Sequence, residues 1–306
     1  MKAVRIHAFG GPDVQKLEDL PTPEPGPGQV LVQVEASSVN PVDYKIRNGG
    51  YLPQDQLPVI LGRDIAGVVN RCGPGVEAFH PGDAVYAMLP RDQGAFAEFV
   101  ALPADLCARK PRRLDFVRAA AVPLAALTAW QGLFDQGGLS AGQSVLIHGA
   151  SGGVGHFAVQ FAVARGATVA ATCSGEDRDF VRTLGAATVV DYKTEDFREK
   201  VRDVDLVFDL VGGETQARSW AVLRPGGTMV STLGAPDPDQ AAAYGATGRG
   251  YMTEPNGGQL AEIAALIDAG KVTPHVERVF PLDDAAEAER RLEKEHVRGK
   301  LVLQVA

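Results

Sequence analysis

The run Val145-Leu146-Ile147-His148-Gly149-Ala150-Ser151-Gly152-Gly153-Val154-Gly155 places four glycines within seven residues, directly after a short apolar stretch. Behind it, Val154, Phe157, Ala158, Phe161 and Ala162 recur at i, i+3, i+4, i+7 and i+8, the spacing of one apolar helix stripe. A strand, a tight turn and a helix are therefore predicted in that order. The glycine spacing is Gly149-x-x-Gly152-x-x-Gly155 rather than the strict G-x-G-x-x-G, so on its own it is also compatible with a plain strand-to-helix turn.

The neighbourhood adds weight. Strands are expected at Val145 to His148, Thr168 to Thr172, Thr188 to Asp191, Leu206 to Leu210 and Thr228 to Leu233, with a weaker sixth near Tyr251. Strands separated by helix-length segments build a doubly wound parallel sheet. In such a sheet the first glycine turn lets the backbone approach a pyrophosphate, and the amides and dipole of the following helix favour its charge. A dinucleotide-binding unit is the consequence.

The first third has a different texture. Partly alternating segments such as Gln29 to Val34, and short runs at Gly67-Val68-Val69 and Asp83 to Tyr86, are punctuated by Glu24-Pro25-Gly26-Pro27-Gly28, Gly73-Pro74-Gly75 and His80-Pro81-Gly82. This reads as a small β-rich barrel or sandwich. A helical stretch follows from Arg118 to Phe134, and another helix is expected at Gln259 to Asp268. The tail returns to strands at His275 to Val279 and Leu301 to Val305, which predicts that it closes the first domain. The expected division is 1–122 with 271–306 as the β-rich catalytic domain and 123–270 as the dinucleotide-binding domain.

Composition excludes several classes. The formal charge is -8, and the basic run Arg109, Lys110, Arg112, Arg113 is too short to make a nucleic-acid surface. Apolar stretches fall short of the roughly 20 residues a membrane span needs, and Met1 leads straight into a strand-like segment, so a cytoplasmic protein is expected. The three cysteines, Cys72, Cys107 and Cys173, are far apart and odd in number, which argues against a disulfide framework.

The coenzyme is read from the second strand of the sheet. An NAD site carries an acid about 20 residues beyond the glycine turn; here that strand ends Ala171-Thr172-Cys173-Ser174. Ser174 can donate to a 2′-phosphate, Arg178 can pair with it, and Tyr192 can pack on the adenine or reach the phosphate. Glu176 and Asp177 would oppose a phosphate if they faced it, and Arg178 also reads as a solvated helix residue. The balance predicts NADPH.

With these residues in place the chain resembles the medium-chain dehydrogenase/reductase superfamily, in its zinc-free quinone oxidoreductase branch. The motifs that carry the resemblance are Ser38 to Lys45, Gly62 to Val69, Phe79 to Val85, Leu127-Thr128-Ala129-Trp130, the glycine turn, and Leu223-Arg224-Pro225-Gly226-Gly227. It implies a GroES-like β-rich domain completed by the tail, a Rossmann doubly wound parallel sheet, and a homodimer. It also implies that Asn40 approaches the nicotinamide and Thr128 lines its pocket. Ser151, Gly152, Gly153 and Val154 would hold the pyrophosphate. Val211, Leu233, Gly234 and Met252 would flank the nicotinamide half, and Arg298 to Lys300 would reach the cofactor. Zinc-using members coordinate metal through a Cys, a Gly-His-Glu motif and a distal Cys or Asp; the corresponding positions here read Asn40 and Gly62-Arg63-Asp64, so no metal is expected.

Without a Lewis acid, alcohol oxidation is poorly served, whereas hydride transfer to an electron-poor acceptor is easier. A quinone or an activated α,β-unsaturated carbonyl fits, because the charge lands on an oxygen that donors can stabilise. The candidate donors are Asn40 and Tyr44, with Lys45 behind them and Arg63 further out. Tyr44 has two readings, proton donor or aromatic wall. Asp43 and Asp64 are expected to hold loops through side-chain hydrogen bonds. Two other readings compete: a NADPH-binding protein with a structural or sensing role, and a metal-dependent alcohol dehydrogenase.

Overall fold

A computed structural model describes all 306 residues. The chain divides into two compact units, the first made of Met1–Leu127, Glu254–Gly270 and Pro274–Ala306, the second of Thr128–Thr253 and Lys271–Thr273. No helix is long and apolar enough to cross a membrane.

The first unit contains β1 (Lys2–Ile6), β2 (Gln15–Asp19), β3 (Gln29–Val39), β4 (Val59–Ile60), β5 (Asp64–Cys72), β6 (Ala84–Met88), β7 (Phe99–Pro103) and β8 (Cys107–Arg109). The second contains β9 (Ser144–Ile147), β10 (Thr168–Cys173), β11 (Thr188–Asp191), β12 (Val204–Asp209), β13 (Leu223–Ser231) and β14 (Thr247–Gly250). The tail adds β15 (Val276–Pro281) and β16 (Lys300–Gln304) to the first unit.

In the first unit a seven-stranded sheet runs β15-β16-β3-β5-β6-β8, with β7 also on β3, and a three-stranded sheet runs β2-β1-β4. Val30, Val32, Val34, Ile65, Val85 and Leu102 meet in one core, and Phe96, Leu301 and Leu303 in a second. The tail closes this unit: β16 pairs antiparallel with β3, Leu301 opposite Val39 and Val302 opposite Ser38. On the other side of β3, β5 pairs antiparallel with Asp64 opposite Ser38. Register alone thus carries Lys300 and Asp64 to the end of β3 that leads into Asn40.

The second unit is a six-stranded sheet in the order β11-β10-β9-β12-β13-β14, every neighbouring pair parallel. The order reverses at β9, whose neighbours are β10 and β12, and such a reversal is where open α/β sheets bind ligands, beyond the carboxyl ends of the strands. The helix after the glycine turn, Gly155–Ala164, is buried on more than the expected stripe, from Gly155 through Ala162. A helix apolar on all sides belongs inside. Gln160 is tolerated there because its amide donates to the carbonyls of His156 and Thr273 and accepts the N–H of Thr273.

The stretch Arg118 to Phe134 is helical as expected, in pieces: Pro123 has no N–H to continue the first turn and starts a new one, giving Phe116–Ala120 and Pro123–Trp130, followed by a wide π-helical turn at Gln131–Gln136. One expectation differs from the fold. The helix Gly257–Asp268, assigned by sequence to the dinucleotide unit, packs in the first unit instead, beside β8 and the turn Ala104–Leu106. Gly257 permits this, since a Cβ there would stand 2.3 Å from the Asp105 carbonyl oxygen.

Candidate active site

The glycine turn is built as a cradle. Gly149 has φ +69°, a conformation side chains disfavour, and a Cβ on Gly155 would lie 2.2 Å from the Gly149 carbonyl oxygen and 2.7 Å from Ala150 Cα. The turn is pinned by Ala150 N–H to the Thr172 carbonyl and Gly152 N–H to the Gly149 carbonyl. The N–H groups of Ser151, Gly153 and Val154 have no acceptor within the protein. Donors left over at the start of a buried helix form an anion site, and the residues present fit a pyrophosphate on Ser151, Gly152, Gly153 and Val154.

The candidate adenosine end lies at the carboxyl ends of β10 and β11. Ser174 is buried, and its hydroxyl donates to the carboxylate of Asp177, also buried, 3.3 Å away. Arg178 is ion-paired with Glu195, whose carboxylate also accepts the Asp191 N–H and the Lys200 ammonium. The Lys200 bond first, then the Asp191 N–H and the Arg178 charge, hold the Glu195 carboxyl down at about 2, below the usual carboxylate range. Arg178 is thus neither a loose solvated residue nor an unpaired one. Tyr192 is exposed, with 61% of its surface open, next to Lys193.

Val211, Leu233 and Met252, the apolar residues assigned to the nicotinamide half, are about half exposed although large apolar side chains are normally buried. They follow the carboxyl ends of β12, β13 and β14. Gly234 has φ +117°, which turns the chain after Leu233. Thr128 is nearly buried; its hydroxyl pairs with that of Thr253 at 2.8 Å, and its carbonyl accepts the Tyr251 hydroxyl. Thr128 and Met252 are therefore joined through the residues on either side of Met252. Tyr251 and Thr253 were not singled out from sequence, where nothing marks a bond spanning more than a hundred residues.

In the first unit the structure brings Asn40, Lys300 and Asp64 together. The Asn40 amide nitrogen donates to Asp64 Oδ2 at 2.8 Å and to the Ser38 carbonyl at 3.3 Å, while its carbonyl oxygen accepts from Lys300 Nζ. Lys300 Nζ also donates to the Val39 carbonyl and stands 3.9 Å from Asp64. A cation on one side and an anion on the other leave the amide one orientation. Asn40 is 1% exposed, so its polar atoms are spent inside this network rather than presented outward. Lys300, expected from the family to reach a cofactor, is buried behind it. Burial pushes the Lys300 ammonium below its ordinary value, opposed by Asp64 and Asp43. Arg298 is partly exposed, its backbone N–H bound to Glu277.

Asp43 and Asp64 hold loops as expected. Asp43 accepts the Asn40 N–H, starting the helix Pro41–Arg47; Asp64 accepts from Ser38 and, through its other oxygen, from the Leu124 N–H. Asp43 is fully buried with Oδ1 unpartnered, and burial raises its carboxyl well above the usual range, Glu289 adding to this. Arg63 is 5% exposed, and its Nε and Nη2 both donate to the Leu89 carbonyl, leaving Nη1 without a protein acceptor. Burial lowers its guanidinium, with Asp43 and Asp64 opposing. Tyr44 is half-buried, its hydroxyl has no protein partner, and burial together with Glu293 raises the phenol above its ordinary value. Lys45 beside it is likewise half-buried and unpaired. No set of three or more His, Cys, Asp or Glu residues is arranged to hold a metal ion.

Residues 26–112 match the family of alcohol dehydrogenase GroES-like domains, and residues 184–303 match that of zinc-binding dehydrogenases. The chain is 36% identical to the mitochondrial NAD(P)H oxidoreductase RTN4IP1 of Danio rerio, over 91% of this chain and 84% of that protein. It is 38% identical to the chloroplastic NADPH-dependent alkenal/one oxidoreductase of Arabidopsis thaliana, over 99% of this chain and 79% of that one. The solved quinone oxidoreductase of Coxiella burnetii superposes with a TM-score of 0.92 at 37% identity, covering 100% of this chain and 99% of that one. On the parallel sheet, the glycine cradle and these relationships, the chain belongs to the medium-chain dehydrogenase/reductase superfamily, in its quinone oxidoreductase-like branch.

Proposed function

We propose that this protein is an oxidoreductase that reduces a quinone or an activated α,β-unsaturated carbonyl with NADPH. The observation that carries the reading is the cradle at Gly149 to Gly155, with three amide donors unclaimed by the protein, in a chain whose relatives include a NADPH-dependent alkenal/one oxidoreductase. When bound, NADPH supplies the hydride. The chain's residues grip and orient it: the turn amides of Ser151, Gly153 and Val154 take the pyrophosphate, and Ser174, Arg178 and Tyr192 the adenosine phosphate end. Val211, Leu233, Gly234, Met252 and Thr128 line the nicotinamide half.

Negative charge that builds on the acceptor oxygen needs a donor. Tyr44 and Arg63 each retain hydrogen-bonding capacity, at the phenol hydroxyl and at Nη1. We assign Tyr44 as the group that hydrogen-bonds this oxygen and gives it a proton, with Lys45 beside it and Arg63 as a second donor. Asn40 acts in this scheme as the positioning link between Lys300, Asp64 and the helix that carries Tyr44. The chemistry proposed needs no metal: an amide at Asn40 and a guanidinium at Arg63 are poor ligands for zinc, which takes thiolate, imidazole or carboxylate.

A homodimer is also proposed, supported by the open outer edge of β14 in the six-stranded sheet. The test of the catalytic reading is acceptor-dependent oxidation of NADPH and NADH across quinones, alkenals and enones. Turnover with NADPH is expected; binding of NADPH without oxidation by any acceptor would replace the enzyme with a NADPH-binding protein.

A further inference from the structure

We infer that Asp209 is a positioning residue that sets the two loops carrying Val211 and Leu233, and through them the placement of the nicotinamide ring. The inference rests on the NADPH reading above.

Asp209 ends β12, is fully buried, and has both oxygens engaged. Its Oδ1 accepts the N–H of Val211 at 3.0 Å and of Gly212 at 2.8 Å. Its Oδ2 accepts from the Gln216 amide at 2.8 Å and from the Ser231 hydroxyl at 3.0 Å. Ser231 ends the neighbouring strand β13, and its oxygen in turn accepts the Leu233 N–H at 3.1 Å. One carboxylate therefore fixes the backbone of the Val211 loop directly and of the Leu233 loop through a single hydroxyl. Side chains complete the connection: Val211 Cγ2 lies 3.5 Å from a Cβ built on Gly149, in the pyrophosphate cradle, and Leu233 Cδ1 lies 2.9 Å from one built on Gly212. A residue larger than glycine at 212 would push Leu233 aside.

The helix Gly213–Ser219 begins at Gly212, and the carboxylate of Asp209 takes up the N–H groups of Val211 and Gly212 just before its first turn, fixing the backbone that enters it.

The experiment compares the wild type with Asp209→Asn, Ser231→Ala and the double variant Asp209→Asn/Gln216→Glu. The double variant exchanges donor and acceptor: the side-chain amide introduced by Asp209→Asn keeps an oxygen for the Val211 and Gly212 N–H groups and turns its NH₂ toward the carboxylate introduced by Gln216→Glu. Amide hydrogen exchange is measured on the protein without coenzyme. It should rise at least about tenfold at Val211, Gly212 and Leu233 in Asp209→Asn, at Leu233 in Ser231→Ala, and return toward wild type in the double variant. NADPH affinity, measured by fluorescence titration, should change less than about threefold, because the pyrophosphate cradle is intact, while kcat falls at least about tenfold and recovers in the double variant.

Wild-type exchange and wild-type kcat in a folded Asp209→Asn protein would overturn the inference. So would a lowered kcat that the double variant fails to restore although its exchange is restored. Failure of the wild type to oxidise NADPH with any acceptor would instead remove the functional reading, and the positioning role with it.

Discussion

At the scale of single residues, the network around Asn40 separates groups that hold from groups that react. Asn40, Asp64 and Lys300 satisfy one another, whereas the Tyr44 hydroxyl is unpaired. Tyr44→Phe is therefore expected to lower kcat by at least about tenfold with little change in NADPH affinity, as removal of a general acid does. Because burial and Glu293 raise the phenol, it stays protonated through the neutral range; the wild-type rate should fall only on the alkaline side, above the ordinary tyrosine value, and Phe should abolish that limb. Arg178 offers a second test. If it reads the 2′-phosphate, Arg178→Ala should raise the KM for NADPH several-fold and leave that for NADH nearly unchanged, measured side by side. His148 is a residue of stability. It is fully buried between Thr172 and Ser219, and burial pushes its imidazole down to about 4 from 6.5. A depressed basic group favours folding when neutral. Its contribution is complete above about pH 6.5 and is lost by up to about 1.4 kcal/mol per pH unit as the pH falls toward 4. Urea unfolding of His148→Gln should show a shallower loss of stability over that interval.

At the scale of elements, the glycine turn carries the clearest mutation. Gly155→Ala would place a methyl 2.2 Å from the Gly149 carbonyl oxygen, so helix and turn must part. NADPH affinity should fall at least about tenfold, near 1.4 kcal/mol, with the far-ultraviolet spectrum retained. The elements of this sheet were the most legible part of the sequence, because each strand is a short apolar run bounded by turn residues and followed by a helical period. β9, β10 and β11 lie within a residue of where pattern put them, whereas β13 begins five residues earlier than expected, at Leu223 rather than Thr228. Pattern marked the stretch from Arg118 to Phe134 as helix-rich but did not place the break that Pro123 makes inside it. It was also silent on Asp209, since a lone acid before Gly212 and Gly213 reads as ordinary turn chemistry until its four donors are seen.

At the scale of the whole molecule, the tail was legible and the unit boundary was not. The apolar run ending in Val305 pointed to a closing strand, and β16 does pair with β3. The helix Gly257–Asp268 looks like one more helix of the parallel sheet in sequence, because its apolar period is the same whichever unit it covers; it packs in the first unit. The polar network at Asn40 was legible only as a list of residue types. Its partners are 24 and 260 positions away, brought in by the registers of β5 and β16. Light scattering should show a dimer if the outer edge of β14 is an interface, and a proline at Arg249, within that strand, should then weaken the dimer.

Metal-independent reduction of an electrophilic acceptor by NADPH is tested by following NADPH oxidation with a quinone and with an enone, using protein dialysed against a chelator and assayed for zinc by elemental analysis. Undiminished turnover of at least one acceptor by zinc-free protein is the predicted result. Loss of turnover on chelation, with recovery on adding zinc, would contradict it.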